Sequence, residues 1–217
     1  IAKEYDVPII EDAAHSAGAN YDGKKIGSHA DAVCFSFHPV KNLAMPTGGA
    51  ICLNGKNTAQ FKKILHSLRW CGIENRSGFD YDVRMLGWNY YMNEISAAIG
   101  LIQLKKLDKA NNIRKNISKR YFTELKIKNK MPYSDDYAYH FYWIRVKNRS
   151  KFMKKMLEKG IETGIHYKPV HLMTYYRNNT KLPITETISK EIVSIPTHPN
   201  LKDTEIDHII KSINDLM

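Results

Sequence analysis

Over the first fifty-odd residues the apolar positions come in short runs: VPII, DAVCFSF and GGAICLN. Each run is bounded by acidic, glycine or asparagine residues. Continuous runs of this length suit strands that are covered on both faces. They place a first strand over Val7–Ile10, leading into Glu11 and Asp12. A second strand is expected over 31–37 and a third over 48–54. The residues ahead of Val7 read as the tail of a helix. The segment NTAQFKKILHSLRW then has helical character, with Asn57 or Thr58 as its cap. Strand and helix in alternation are the grammar of an α/β domain.

Residues 71–91, CGIENRSGFDYDVRMLGWNYY, carry few strand or helix signals. Their aromatic content favours an ordered loop, and long ordered loops in compact domains are usually functional. A helical period takes over at Met92 and persists to about Leu125. Asn93 can cap this helix, and Ile95, Ala98, Ile99, Ile102, Ile113, Ile117 and Tyr121 recur at helical spacing. Asn111-Asn112 is a candidate bend. A helix of this length usually bridges two bodies, so a boundary is expected near residue 110. That gives an α/β domain over 1–110 and a small α+β domain over 111–217. Within the second, YHFYWIRV reads as a strand, and SKFMKKMLEKG as a capped helix stopped by Gly160. IETGIHY reads as extended. DTEIDHIIKSINDLM reads as a final amphipathic helix with Asp203 as cap and Ile206, Ile209, Ile210 and Ile213 as its buried stripe.

Composition narrows the picture. At 43% hydrophobic and 25% charged, the 217-residue chain has the make-up of a folded protein, which excludes disorder. No apolar run is long enough to cross a bilayer, and no signal peptide precedes the first strand, so a cytoplasmic protein without a membrane partner is expected. The formal charge of +11 fits anionic partners. The lysines are scattered rather than gathered in a block, which argues against nucleic acid and for a solvated surface. Cys34, Cys52 and Cys71 make an odd count with no Cys-x-x-Cys, as expected of buried thiols in a reducing compartment.

Few residues are placed for chemistry. Asp12 ends the first strand, the edge at which open α/β sheets bind ligands. It could accept a hydrogen bond from a cationic ring nitrogen, bind a metal, or cap a turn. Ser36, His38 and Lys41 follow the second strand. Ser36 could donate to a phosphate. Lys41 could be an ion-pair partner, a phosphate clamp, a solvated loop lysine, or a nucleophile forming a Schiff base with an aldehyde cofactor, which requires a partly unprotonated amine. Gly48-Gly49 allows a sharp turn, while the glycine patterns of common phosphate loops are absent. His166, Tyr167 and His171 lie in HYKPVH, whose spacing matches no common zinc site, so no metal is expected. These three could line a substrate cleft.

Five blocks taken together point further: EDAAHSAGA, FSFHPVKNLAMPTGGAI, LGWNYYMNEISAAIGLIQLKKLD, GIETGIHYKPVH and LPITETISKEIVSIPTHPNL. Their order and spacing resemble the DegT/DnrJ/EryC1/StrS family of pyridoxal-phosphate-dependent sugar aminotransferases, which have the type I aminotransferase fold. The resemblance implies a partial large domain followed by the small C-terminal one. It implies that Asp12 pairs with the protonated ring nitrogen of pyridoxal 5′-phosphate and His15 touches the ring's phenolic oxygen. Ser36 would hold the phosphate, and Lys41 would form the Schiff base and then move the proton. Asn89 would reach the cofactor phosphate of a partner subunit, making a homodimer with shared active sites. His38, His166, Tyr167 and His171 are the candidate substrate contacts. The substrate implied is a nucleotide-linked keto sugar, with glutamate as the usual amino donor. Two other readings are a dehydratase or aminodehydroxybenzoate-synthase-like enzyme of the same family, and a noncatalytic relative. Two positions depart from the family pattern: Tyr91 stands where an arginine is common, and Pro46-Thr47 where glycine with an acidic residue is usual. The family's N-terminal half has no counterpart in the chain, and a 217-residue piece without it is expected to be weak or inactive.

Overall fold

A computed structural model describes residues 1–217, which fall into two compact units, Ile1–Lys109 and Ala110–Met217. The first is built on a three-stranded mixed sheet. β1 (Ile10–Asp12) runs parallel to β4 (Ala32–Ser36), which pairs antiparallel with β5 (Gly49–Leu53). Between β1 and β4 lies a small hairpin of β2 (Asn20–Tyr21) and β3 (Lys24–Lys25), turned by Asp22-Gly23. β1 begins at Ile10 rather than at Val7, so the first strand sits later than its apolar run implied.

Strand register assigns the two faces of this sheet, because successive side chains alternate. Val33, Phe35 and Cys52 share one face and cluster over Ala13, Ala30 and Ile26. The opposite face carries Ile10, Asp12, Cys34, Ser36 and Ile51. Ile10 and Ile51 remain 75% and 49% exposed there. The sheet is therefore packed on one face within this unit, where the apolar runs implied two.

After β5 comes α1 (Thr58–Leu68). Asn57 precedes it in a left-handed conformation without a side-chain cap bond, and the Thr58 hydroxyl donates to the Gly55 carbonyl at 2.7 Å instead. Residues 71–91 contain a hairpin that the sequence did not signal: β6 (Ile73–Ser77) against β7 (Asp80–Val83), bulged between Glu74 and Ser77. All four residues of β7 are exposed, so no burial pattern marks it.

α2 (Glu94–Glu124) is one helix that continues through Asn111-Asn112. Asn93 caps it, its Oδ1 accepting from the Ser96 N–H at 2.8 Å. In its first half the stripe Ile95, Ile99 and Ile102 is exposed, and Ser96, Gly100 and Leu107 are the buried positions. A Cβ at Gly100 would come within 2.7 Å of the Met45 sulfur, so a small residue is what lets the helix approach.

The second unit holds the larger core. β8 (Tyr142–Arg145) pairs antiparallel with β9 (Ile192–Ile195). Tyr142, Ile144, Val193 and Ile195 share the buried face. Against them cluster Ile117 and Tyr121 of α2, Phe152 and Met156 of α3 (Arg149–Glu158), and Ile206, Ile209, Ile210 and Ile213 of α5 (Asp203–Asp215). The buried Tyr121 hydroxyl donates to the Pro196 carbonyl at 2.7 Å. α4 (Pro183–Glu191), absent from the sequence reading, leads into β9. Asp203 is the first residue of α5 rather than its cap, and Glu205 closes the end by accepting from the Lys202 N–H at 2.7 Å.

Candidate functional site

The C-terminal ends of the parallel strands β1 and β4 lie at one edge of the first unit's sheet. Asp12 is paired in register with Cys34, so Asp12 and Ser36 fall on the same face, two positions apart along β4. Asp12 is exposed, and its Oδ1 accepts from the Ala14 N–H at 3.0 Å, which fixes the carboxylate against the following turn. His15 follows in that turn, which is anchored by the buried Ala13 and Ala17.

Lys41 lies in the loop 37–48 that joins β4 to β5. The base of this loop is closed by backbone bonds, from the Phe37 N–H to the Gly48 carbonyl and from the Met45 N–H to the Phe37 carbonyl, both 2.9 Å. Leu43 and Met45 are buried and pack with Ala17, Leu107, Phe35 and Phe37. The Lys41 N–H donates to the His38 carbonyl at 2.8 Å, and the His38 N–H lies 3.4 Å from the Ser36 hydroxyl. The loop is thus held by its own hydrogen bonds and two apolar anchors, with Lys41 half-buried on it. Gly48 has φ +145°, and a Cβ at Gly49 would meet the Phe35 carbonyl oxygen at 2.7 Å, so this return of the chain requires the glycine pair.

Partial burial lowers the pKa of the Lys41 amine, and the negative Asp12 opposes that shift. The two groups therefore feel one another across the strand ends. A carboxylate, a hydroxyl and an amine easier to deprotonate than a free lysine are collected at one sheet edge. The candidate residues Asp12, His15, Ser36, His38, Lys41 and Asn89 all belong to the first unit. Asn89 sits in an isolated antiparallel bridge with Trp70, which the turn after α1 brings alongside.

His166, Tyr167 and His171 belong to the second unit. His166 Nδ1 lies 2.8 Å from the Ser194 hydroxyl, and its ring stacks on Phe141 at 5.2 Å between centroids. Its peptide bond to Tyr167 is cis. His171 Nε2 lies 3.2 Å from a Glu186 oxygen, which also accepts from the Leu182 N–H at 3.0 Å. Both interactions pull the Glu186 carboxyl below its usual range, the backbone bond most strongly. Among the residues described there is no group of three or more His, Cys, Asp or Glu side chains able to hold a metal ion.

The fold of this chain is the α/β fold of type I pyridoxal-phosphate-dependent aminotransferases, in part. It belongs to the DegT/DnrJ/EryC1/StrS aminotransferase family, whose model matches residues 1–214. It is 34% identical, over 224 residues, to the UDP-4-amino-4,6-dideoxy-N-acetyl-beta-L-altrosamine transaminase of Campylobacter jejuni, with 94% of this chain and 58% of the relative aligned. Its structure matches Helicobacter pylori PseC, an aminotransferase involved in the biosynthesis of pseudoaminic acid, with TM-score 0.89 and 26% identity over 99% of this chain and 60% of that one. Spr1654 from Streptococcus pneumoniae, solved in its PLP form, matches with TM-score 0.87 and 26% identity over 99% of this chain and 59% of that one. The chain spans 58–60% of the length of these relatives.

Proposed function

We propose that the protein is a pyridoxal-phosphate-dependent aminotransferase that delivers an amino group from an amino acid, glutamate first among them, to a nucleotide-linked keto sugar. The observation that carries this reading is the pairing at the sheet edge: a lysine whose pKa is lowered by burial, acted on by the Asp12 carboxylate, in the loop just beyond Ser36 on the same sheet. The Campylobacter jejuni relative is a transaminase of a UDP-linked sugar by its name, and the pneumococcal one carries PLP, which supports both substrate class and cofactor.

The residues present fit that cofactor. Asp12 and Ser36 share one sheet face with Cys34, Gly49 and Ile51, so the strand positions between the two polar groups carry small or apolar side chains. When bound, pyridoxal phosphate supplies an electron sink for charge that develops at the amino carbon. Asp12 would accept a hydrogen bond from the ring nitrogen and keep it protonated. Ser36 would donate to a phosphate oxygen, and His15 stands on the turn beside Asp12. Lys41 Nζ would hold the cofactor and, when free, would take the proton from the substrate carbon, a role suited to an amine with a lowered pKa.

The domain roles follow the same reading, with 1–110 as part of the cofactor-binding domain and 111–217 as the small domain. Asn89, exposed on the first unit, would serve the phosphate of a second copy in a homodimer. The exposed Ile95, Leu101, Ile102 and Leu104 of α2 support a covered surface of that kind. His38, His166, Tyr167 and His171 are proposed for the sugar or donor side. No helix is long and apolar enough to cross a membrane, and the three cysteines are unpaired, which suits the reducing cytoplasm.

The test is borohydride reduction of the cofactor-loaded protein followed by peptide mapping. The expected tag is on Lys41, with no tag in Lys41→Ala and with conversion to the pyridoxamine form on adding glutamate to the wild type. A tag on another lysine, or none, overturns the reading.

A further inference from the structure

In the second unit, residues 165–182 lead into α4 and form neither α-helix nor strand. Two short 3-10 turns, Val170–Leu172 and Thr174–Tyr176, punctuate them. Much of the segment faces water: Tyr167, Val170, Tyr175 and Tyr176 are all exposed. His171 turns the other way, with its side chain only 10% exposed. An imidazole drawn inward needs hydrogen-bond partners. Its Nε2 lies 3.2 Å from Glu186 Oε1, in the first turns of α4.

Glu186 is fixed independently of His171. The same Oε1 accepts from the Leu182 N–H at 3.0 Å, so the N-terminus of α4 holds the carboxylate in place and favours its charge. That backbone bond is the largest cause of a Glu186 pKa below the usual range, followed by the His171 bond. The charges of His171 and Lys190 act in the same direction. An ionised carboxylate only accepts, so Nε2 is the ring nitrogen that donates. In a neutral ring Nδ1 then carries the lone pair. Nδ1 has no hydrogen-bond partner in the protein and is not buried. The contact between His166 Nδ1 and the Ser194 hydroxyl sets no tautomer by this argument, because a hydroxyl can donate or accept.

We propose that Glu186 is a positioning residue, holding His171 as the Nε2–H tautomer so that Nδ1 meets the ligand as an acceptor. The inference deepens the assignment of His171 to the sugar or donor side, and rests on it. It narrows what His171 receives to a group with a proton to give: a sugar hydroxyl or the ammonium of the amino-acid donor. A keto oxygen or a carboxylate has no such proton and would meet a lone pair. A ring free to exchange tautomers accepts either kind of group, so the carboxylate adds selectivity. A capping role alone accounts for the Leu182 bond, but not for a ring turned inward with one nitrogen left open.

The experiment is long-range proton–nitrogen correlation NMR of the histidine-labelled 217-residue chain, at a pH where the ring is neutral. The His171 signals are those lost in His171→Gln. The wild type should show a protonated Nε2 and an unprotonated Nδ1. Glu186→Gln, whose amide can turn either its oxygen or its N–H toward the ring, should shift both nitrogens toward a mixture of tautomers. Loss of a cap alone would lower the melting temperature and leave the nitrogens where they were. The two half-reactions of the cofactor-loaded protein, with glutamate and with a UDP-linked keto hexose, then identify the ligand group. Glu186→Gln should weaken apparent affinity for one of the two by about 3- to 10-fold, more than it slows the limiting rate, as one misaligned hydrogen bond implies. His171→Asn, whose amide oxygen can stand in for Nδ1, should recover part of the affinity that His171→Gln loses. The larger effect falling on glutamate assigns its ammonium; falling on the sugar, it assigns a hydroxyl. A protonated Nδ1 in the wild type overturns the proposal. So do nitrogens that do not move in Glu186→Gln, or an affinity unchanged for both substrates. If Lys41 takes no cofactor, the aminotransferase reading fails, while the tautomer and its response to Glu186→Gln are still decided by the NMR.

Discussion

Lys41 is held between two opposing influences. Burial favours its neutral form, and the Asp12 carboxylate favours the charged one, with burial the larger. Removing the carboxylate leaves burial unopposed, so Asp12→Asn should lower the pKa of Lys41 further. The pH dependence of Lys41 labelling by an amine reagent in cofactor-free protein reads this directly; a midpoint that rises or stays put in the variant would count against the electrostatic contact. The same shift has a sign in stability. With its folded pKa below the ordinary 10.5, the unfolded chain binds this proton more readily. The folded state therefore gains as pH climbs from the folded value to 10.5, and the Asp12→Asn variant extends that window downward. The lysine, the strand-end aspartate and the glycine pair were legible from sequence because each stands out from its neighbours: a cation after an apolar run, an acid at a strand end, two glycines before a strand. The link between Lys41 and Asp12 was not, since it depends on β1 lying parallel to β4 across the intervening hairpin.

At the scale of elements, the segment after α1 shows what hydrophobic periodicity misses. β7 is exposed throughout and its partner β6 nearly so, because this hairpin is specified by turns and pairing rather than by burial. Its anchor is a backbone crossing. Gly72, at φ +74°, and Gly87 pack against each other's segments so closely that a Cβ at Gly72 would fall on the Met85 carbonyl oxygen and one at Gly87 on the Gly72 nitrogen. Gly72→Ala should therefore cost about 1 kcal/mol for the left-handed backbone and more for the displaced strand. In hydrogen exchange it should speed amides over 70–90 while α3 and α5 keep their protection. Uniform loss across both units would contradict so local a role. The β2–β3 hairpin also went unread, although its turn carries a local signal: Asp22-Gly23, with φ of 48° and 72°, is the Asp-Gly pair favoured where both central residues are left-handed. The stripe on α2 misled for a third reason. Spacing identifies an apolar face, but not which neighbour covers it, and here Ser96 and Gly100 face inward while Ile95 and Ile102 do not.

Across the molecule, stability is unevenly distributed between the two units. The second closes one continuous core around Tyr121, Tyr142, Ile144, Met156, Val193 and Ile213, each under 2% exposed. The first divides its buried apolar residues between two small clusters, around Val33 and around Leu43 and Met45, and leaves Ile10, Ile51, Ile95 and Leu101 exposed. Apolar burial is the main favourable contribution to folding, so opening of the first unit should need far less free energy than opening of the second. Native-state hydrogen exchange of the 217-residue chain should then show its slowest amides in β8, β9, α5 and the second half of α2, with those of β1, β4 and β5 exchanging earlier. Met156→Ala, which empties a fully buried site, should cost about 2–5 kcal/mol and lower protection through the second unit, leaving the first where it was. Equal protection in the two sheets would show that the first unit draws stability from contacts its own core does not provide.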